Sequence, residues 1–476
     1  MDENSHMTAT VAVIDVGKTN IRLSAATTDG VIAETLSTPN RSLSGPPYRH
    51  YDLDGMEAWL LDGLAEFGRR HAIAAIAGTS HGSACVLVDE TGPVLPIVDY
   101  EQEPPDALNA LYAAQVGSYR QRGSPIMVGA SHMARQLLWM EVGWPERFAR
   151  GRLFLGLPQY WAWRFGGEPA AELTFLAAQS HIWNVRDRCP TPIVSARGWQ
   201  RLIPPVRPAW QSLGTLSAEI ARRTGLAPST KLLCGVHDSS ANFYRYQAAG
   251  FEDFTVVSTG TWIVLVSSAA DADAISESRG MCSNADVDGH PLAGVLLMGG
   301  REYAAVAGAP TSGPADPTEL ARLMAQGTMA LPSFTFDDGV FPGHAERGHI
   351  VGPAPETLEQ RHALALLYSA LLTDACLDAL GRTGTIILDG VFVNDPLFPA
   401  LVAALRPGHR VLYNLESYGT AAGCALLAEH AHRTAPEHLA LKTPCRFDLP
   451  DVAGYRERWI ALANATPELV PLEIHL

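Results

Sequence analysis

The chain has no C-x-x-C pair, and its seven cysteines are scattered through 476 residues. That spacing excludes a thiolate zinc site and a disulfide framework, and it suits a reduced cytoplasm. Basic residues are in deficit: 35 Lys and Arg stand against 50 Asp and Glu, a net charge of −15. Such a balance argues against nucleic acid and against an anionic membrane surface. No apolar run is expected to be long enough to cross a bilayer, and the N-terminus has no secretory h-region. Low-complexity tracts and charge blocks are missing as well. The dinucleotide fingerprint G-x-G-x-x-G does not follow the first strand, so a Rossmann reading fails.

What is present is a chain too long for one core. Two domains are expected, residues 7–250 and 251–476. Met1–His6 reads as a cloning remnant ahead of a natural start at Met7. The sequence opens with an apolar strand, Val11–Ile14, then the turn Asp15-Val16-Gly17-Lys18-Thr19-Asn20, then a second strand, Ile21–Ala26. Thr27-Thr28-Asp29-Gly30 turns the chain into a third strand. The first turn holds an acid suited to a metal, a lysine and small hydrogen-bonding groups suited to phosphate. A plain hairpin with a solvated Lys18 is the competing reading. The same device returns half a chain later as Thr255–Ser267, with the turn Ser258-Thr259-Gly260-Thr261. Two copies suggest internal duplication, with a phosphate turn in each half.

Just ahead of the second copy lies Cys234–Tyr244, CGVHDSSANFY. Asp238 stands where a short strand ends and a helix begins. A carboxylate there can accept a proton from a substrate hydroxyl, or it can cap the helix. Polar strand ends, where α/β folds place ligand contacts, occur at Thr79-Ser80-His81-Gly82 and at Asp99-Tyr100-Glu101. Helices are expected over Met56–His71, Leu108–Gln121, Met133–Glu141, Leu153–Arg164 and Thr357–Leu380, the last one amphipathic. Pro310–Pro317 is a candidate linker. The small-residue helix Thr420–His430 could approach a sheet or a nucleotide, or simply pack closely.

These motifs, in this order, resemble the FGGY carbohydrate kinase family, with a flavour closest to its L-fuculokinase and rhamnulokinase branch. The resemblance rests on Asp15–Asn20, Gly235–Asp238, Ser258–Trp262 and the Gly419–Ala428 helix. It implies an α/β fold of two ribonuclease-H-like, actin-like ATPase lobes with a catalytic cleft between them. It further implies ATP- and Mg²⁺-dependent phosphorylation of a sugar hydroxyl, with a ketose or deoxyketose such as L-fuculose or L-rhamnulose as acceptor. Carried over residue by residue, Asp238 is the catalytic base and Asp15 the metal ligand. Gly17, Lys18, Thr19, Asn20, Thr259, Gly260, Thr261, Gly390, Asn394 and Gly419 bind the nucleotide. His81, Gly82, Asp99, Tyr100 and His237 line the sugar pocket. The sequence departs from the family at Asp389, which breaks a glycine run, at Ala84 and at Tyr100-Glu101-Gln102. The implied partners are a sugar and a nucleotide, with no nucleic acid and no membrane, and a homodimer is allowed. Two alternatives stay open: an actin-like nucleotide-binding protein without sugar kinase activity, and an actin-like ATPase with no acceptor.

Overall fold

The computed structural model describes residues 9–310, 313–433 and 439–465. Met1–His6, and residues 311 and 312 of the expected linker, lie outside them. The chain divides into two compact units. Unit 1 comprises Met1–Phe251, Ser283–Pro291 and Tyr418–Leu439; unit 2 comprises Glu252–Cys282, Leu292–Ser417 and Ala440–Leu476.

Unit 1 is built on β1 (Thr10–Val16), β2 (Asn20–Thr27), β3 (Ile32–Pro39) and β4 (Ile73–Ser80), joined by β5 (Ser212–Thr215), β6 (Lys231–Leu233) and β7 (Val236–His237). The sheet order is β5-β6-β4-β1-β2-β3, and β7 extends the pairing along β4. β1 is buried at every residue, as its unbroken apolar run requires of a strand covered on both faces. The two-residue period sorts its side chains. Ala12, Ile14 and Val16 pack with Met56, Leu60 and Leu64 of α1 (Leu53–Gly68). Val11 and Val13 pack with Ala241 and Tyr244 of α4 (Asp238–Ala248) and Ala421 and Ala425 of α7 (Gly419–Leu426). α1 starts where the Asp52 carboxylate accepts the Gly55 N–H at 3.0 Å. Two short helices complete the layer used below: α2 (Leu157–Arg164) and α3 (Leu173–Ala177).

Unit 2 repeats this plan with β8 (Phe254–Thr259), β9 (Ile263–Ser267), β10 (Pro291–Leu297), β11 (Thr385–Gly390) and β12 (Val411–Tyr413), in the order β10-β9-β8-β11-β12, and the strand Met281–Ala285 pairs with β10 as a sixth. In each unit an antiparallel three-strand meander leads into two parallel strands. The duplication extends to single hydrogen bonds. In the first hairpin Gly17 N–H donates to Asn20 O at 2.9 Å and His81 N–H to Val16 O at 3.3 Å. In the second, Gly260 N–H donates to Trp262 O at 2.9 Å and Val391 N–H to Thr259 O at 2.8 Å. The expected mixed α/β class is what the structure has.

Several expectations need correction. α6 (Leu358–Leu380) is not amphipathic; it is buried on nearly all sides in the core of unit 2, packed against α5 (Gly299–Ala307) and the helices Pro317–Gln326 and Leu397–Leu405. It is also a helix long and apolar enough to span a bilayer by length and composition, contrary to the expectation that no such run exists. The expected helix Leu153–Arg164 begins as a strand, Leu153–Gly156. The expected helix Leu108–Gln121 breaks near Gly117, whose φ is +86°. The small residues of α7 serve close packing: a Cβ on Gly423 would lie 1.9 Å from Ala241 O of α4.

Candidate active site

Gly235 delivers the central acid of unit 1. Its φ is +84°, and a Cβ there would lie 2.5 Å from Gly78 O, so only glycine fits. The kink parts β6 from β7 and brings His237 opposite Ser80 at the end of β4. α4 then starts. Its N-cap residue is His237, and Asp238 is the first helical residue, so the capping reading of Asp238 does not hold. Asp238 Oδ1 accepts from Ser239 N–H at 2.5 Å and Ser239 Oγ at 3.2 Å, and lies 3.1 Å from His237 Nε2. The side chain is about a third exposed.

Asp15 stands near the end of β1, level with Arg22 on β2 and Thr79 on β4. Burial, with the Asp238 charge adding to it, pushes its carboxyl up to about 7; Arg22, 3.8 Å away, pulls the other way. A buried hard-oxygen donor raised by a second carboxylate gains from a divalent cation, so these residues fit Mg²⁺.

His81 follows β4. Burial lowers it to about 4, so its imidazole is neutral, and Asp238, Lys18, His237 and Asp99 all act on it. Its ring lies 5.2 Å from the Tyr100 ring. A Cβ on Gly82 would meet Ala178 Cβ at 2.5 Å and His237 Nε2 at 3.3 Å. Three buried polar atoms at these strand ends have no protein partner: Thr79 Oγ1, His81 Nδ1 and His237 Nδ1. Buried groups of this kind are normally satisfied, so these three atoms are open to a ligand that both donates and accepts hydrogen bonds.

The hairpin turn of unit 1 meets the strand-end cluster. Lys18 Nζ lies 2.5 Å from Asp99 Oδ1 and 3.7 Å from Glu101 Oε2, over the rings of Tyr51 and Tyr100. Asp99 Oδ1 also accepts the Glu101 N–H, and its Oδ2 accepts from Ser42 and Arg49, both at 2.8 Å. Asp99 is therefore an anchor with both oxygens engaged. Asn40 ties down the turn from outside, through Gly17 O and Thr19 O.

In unit 2, the turn Gly260-Thr261 borders a cavity of about 760 Å³. Asn394 lines it too, as do Arg301, Tyr303 and His362, which sequence reasoning missed. The signal for the first two was the pair Gly299-Gly300, one residue beyond β10. A Cβ on Gly300 would lie 2.4 Å from Gly260 O, so the start of α5 can sit against the turn only because residue 300 is glycine. Thr259 is not among the lining residues; its Oγ1 donates to Asp389 O at 2.8 Å and accepts the Phe392 N–H at 3.0 Å. Gly390 has φ +92°, and a Cβ there would lie 2.0 Å from Thr259 O. Asp389 turns its carboxylate back onto the Gly390 N–H at 2.6 Å, and it does not line the cavity. Gly419 belongs to unit 1 and is not among the cavity-lining residues.

Comparison with known proteins divides the chain in two by sequence, although the stretches Ser283–Pro291 and Tyr418–Leu439 belong to unit 1. Residues 10–243 match the N-terminal domain of the FGGY family of carbohydrate kinases, and residues 251–436 match the family's C-terminal domain. L-fuculokinase of Escherichia coli (strain K12) is 26% identical over 288 residues, 58% of this chain and 60% of the relative. The chain thus spans about 60% of the length of the curated relatives it matches. A carbohydrate kinase from Novosphingobium aromaticivorans is 30% identical, with a TM-score of 0.85 over 96% of this chain and 99% of that one. A xylulose kinase from Lactobacillus acidophilus shares the fold at 16% identity, with a TM-score of 0.76 over 96% and 97% of the two chains.

Proposed function

The chain belongs to the FGGY family of carbohydrate kinases, and on that premise we propose that it transfers the γ-phosphoryl group of ATP to a sugar hydroxyl. The observation carrying this reading is the pair of acids in unit 1, Asp15 and Asp238, set among buried polar atoms that have no protein partner. Unit 2 offers the nucleotide a preformed cavity bordered by a glycine–threonine turn.

In this reading the sugar is held at the strand ends of unit 1. His81 and His237 are neutral imidazoles there, because burial lowers both. A neutral imidazole both donates and accepts, as recognition of a hydroxyl requires. Lys18 and the engaged Asp99 form the wall with Tyr51 and Tyr100. Asp238 takes the proton of the acceptor hydroxyl as its bond to phosphorus forms. Asp15 holds Mg²⁺, which when bound neutralises phosphate charge. ATP is held in unit 2: Gly260 and Thr261 lie along its phosphates, and Asn394 and Tyr303 by the nucleoside. Asp389 spends a carboxylate oxygen on the Gly390 backbone, so it leaves that site open to ATP.

The similarity to L-fuculokinase favours a ketose or deoxyketose such as L-fuculose or L-rhamnulose. A coupled assay of ADP release over a panel of ketoses and aldoses tests the proposal. The expected result is ADP release that depends on one sugar and yields its phosphate ester. Acceptor-independent ADP release makes the chain an ATPase, and nucleotide binding without turnover makes it a nucleotide-binding protein; either rejects the kinase.

A further inference from the structure

Behind Asp238 lies a chain of side chains that the proposed chemistry has not used. Glu172 is buried at the start of α3, with both carboxylate oxygens engaged. Oε1 accepts the Thr174 N–H at 2.9 Å; Oε2 accepts the Thr174 hydroxyl at 2.6 Å and the Phe175 N–H at 3.0 Å. The Thr174 proton is thus spent on Glu172, and its oxygen is left as an acceptor. It accepts the backbone N–H of His237 at 3.0 Å. Through Nε2, 3.1 Å away, the His237 imidazole reaches Asp238 Oδ1, its own Nδ1 being unpartnered. Oδ1 also takes both Ser239 donors, whereas no bond to Oδ2 is found among the described residues.

We propose that Glu172 is a positioning residue for Asp238, acting through Thr174 and His237 to fix Oδ1 and leave Oδ2 as the oxygen that takes the proton. The inference rests on the sugar kinase reading and deepens it. In the step, the acceptor O–H proton passes to Oδ2, the acceptor oxygen bonds to the γ-phosphorus, and the bond from that phosphorus to the ADP oxygen breaks. A base must stand within hydrogen-bond reach of the proton it removes, and a displacement of about 1 Å can cost on the order of 10²-fold in rate. Asp238 follows a kinked backbone and is a third exposed, so packing alone does not hold it. The relay holds it from two directions, by backbone at His237 and by side chain at Oδ1.

The test compares Thr174→Val, Thr174→Ser and Glu172→Gln in the full chain, against Asp238→Asn. The readouts are kcat per folded enzyme, KM for sugar and for ATP, and Tm. Valine keeps the shape of threonine and removes the hydroxyl. We expect Thr174→Val to lower kcat by about 10- to 100-fold, with both KM values within about threefold of wild type. Thr174→Ser should bring kcat back to within about threefold. If Thr174→Val does not fold, Glu172→Gln decides alone: a similar loss of kcat at steady KM supports the relay, and wild-type kcat overturns it. Equal kcat losses in the Val and Ser variants, or a wild-type kcat in Val beside an inactive Asp238→Asn, overturn the relay and spare the base. An Asp238→Asn enzyme at wild-type rate overturns the base assignment and the relay with it.

Discussion

The two hairpins of this protein share one strand pairing and hold opposite chemistry. Each joins two antiparallel strands, lies beside a parallel strand, and closes with a main-chain hydrogen bond from its glycine, to Asn20 O in unit 1 and to Trp262 O in unit 2. The turn of unit 1 carries Lys18 and follows Asp15, and it faces Asp99, Arg49 and Glu101. The turn of unit 2, Gly260-Thr261-Trp262, carries no charge and borders a cavity. Duplication therefore supplied a frame, and the residues in each turn divided the work. Charge is concentrated at the turn of unit 1, and small neutral groups stand where the turn of unit 2 borders its cavity.

The register of the two sheets gives the sharpest way to break this comparison. Gly390 pairs with Thr259 as Ser80 pairs with Val16, so the two occupy equivalent positions. Gly390→Ala would drive a methyl group into Thr259 O at positive φ. It should cost about 3 kcal/mol of stability and raise KM for ATP at least about 10-fold, the order expected for a distorted pocket. Ser80→Ala, at an ordinary backbone angle, should cost no more than about 1 kcal/mol. Equal losses in thermal unfolding would contradict the backbone difference between these two paired positions.

Lys18 yields a smaller effect with a clear direction. Its ammonium is engaged by Asp99 and Glu101 beside the sugar candidates. Lys18→Ala should raise KM for the sugar about 10-fold, the worth of one lost charged hydrogen bond, and leave KM for ATP unchanged. A rise confined to ATP would return Lys18 to the phosphates.

The smallest effect is a pH dependence. Burial pushes Glu172 up to about 7, against hydrogen bonds from Thr174 and Phe175. Its unfolded value is about 4.3. A carboxyl raised on folding favours the protonated native state, so its contribution is present below the unfolded value and is lost as pH rises through about 7. Glutamine does not titrate. The Tm deficit of Glu172→Gln should therefore shrink by about 2 °C between pH 5 and pH 8. A deficit that grows with pH would show that Glu172 is ionised in the fold.

Both hairpins were legible in the sequence because apolar runs flank a glycine–threonine turn, a local pattern. Asp238 was legible for the same reason, at the joint of a strand and a helix; its cap was misassigned because one residue of backbone geometry separates N-cap from first turn. The relay was not legible. Glu172 and Thr174 meet His237 more than sixty residues on, through hydrogen bonds that leave no periodic trace. Tyr303 and His362, which sequence reasoning missed, likewise reach one cavity from separate elements. α6 was misread because total burial erases the amphipathic period by which surface helices are recognised.

The central claim is that proton removal belongs to unit 1 and nucleotide binding to unit 2. Asp238→Asn tests it most directly, with sugar phosphorylation and ATP binding measured on the same preparation. Asparagine keeps the size and most of the hydrogen bonding of aspartate but not its basicity. The account predicts a loss of phosphorylation on the order of 10²- to 10⁴-fold, with ATP affinity and Tm close to wild type. Phosphorylation at the wild-type rate, or a parallel loss of ATP binding, would contradict it.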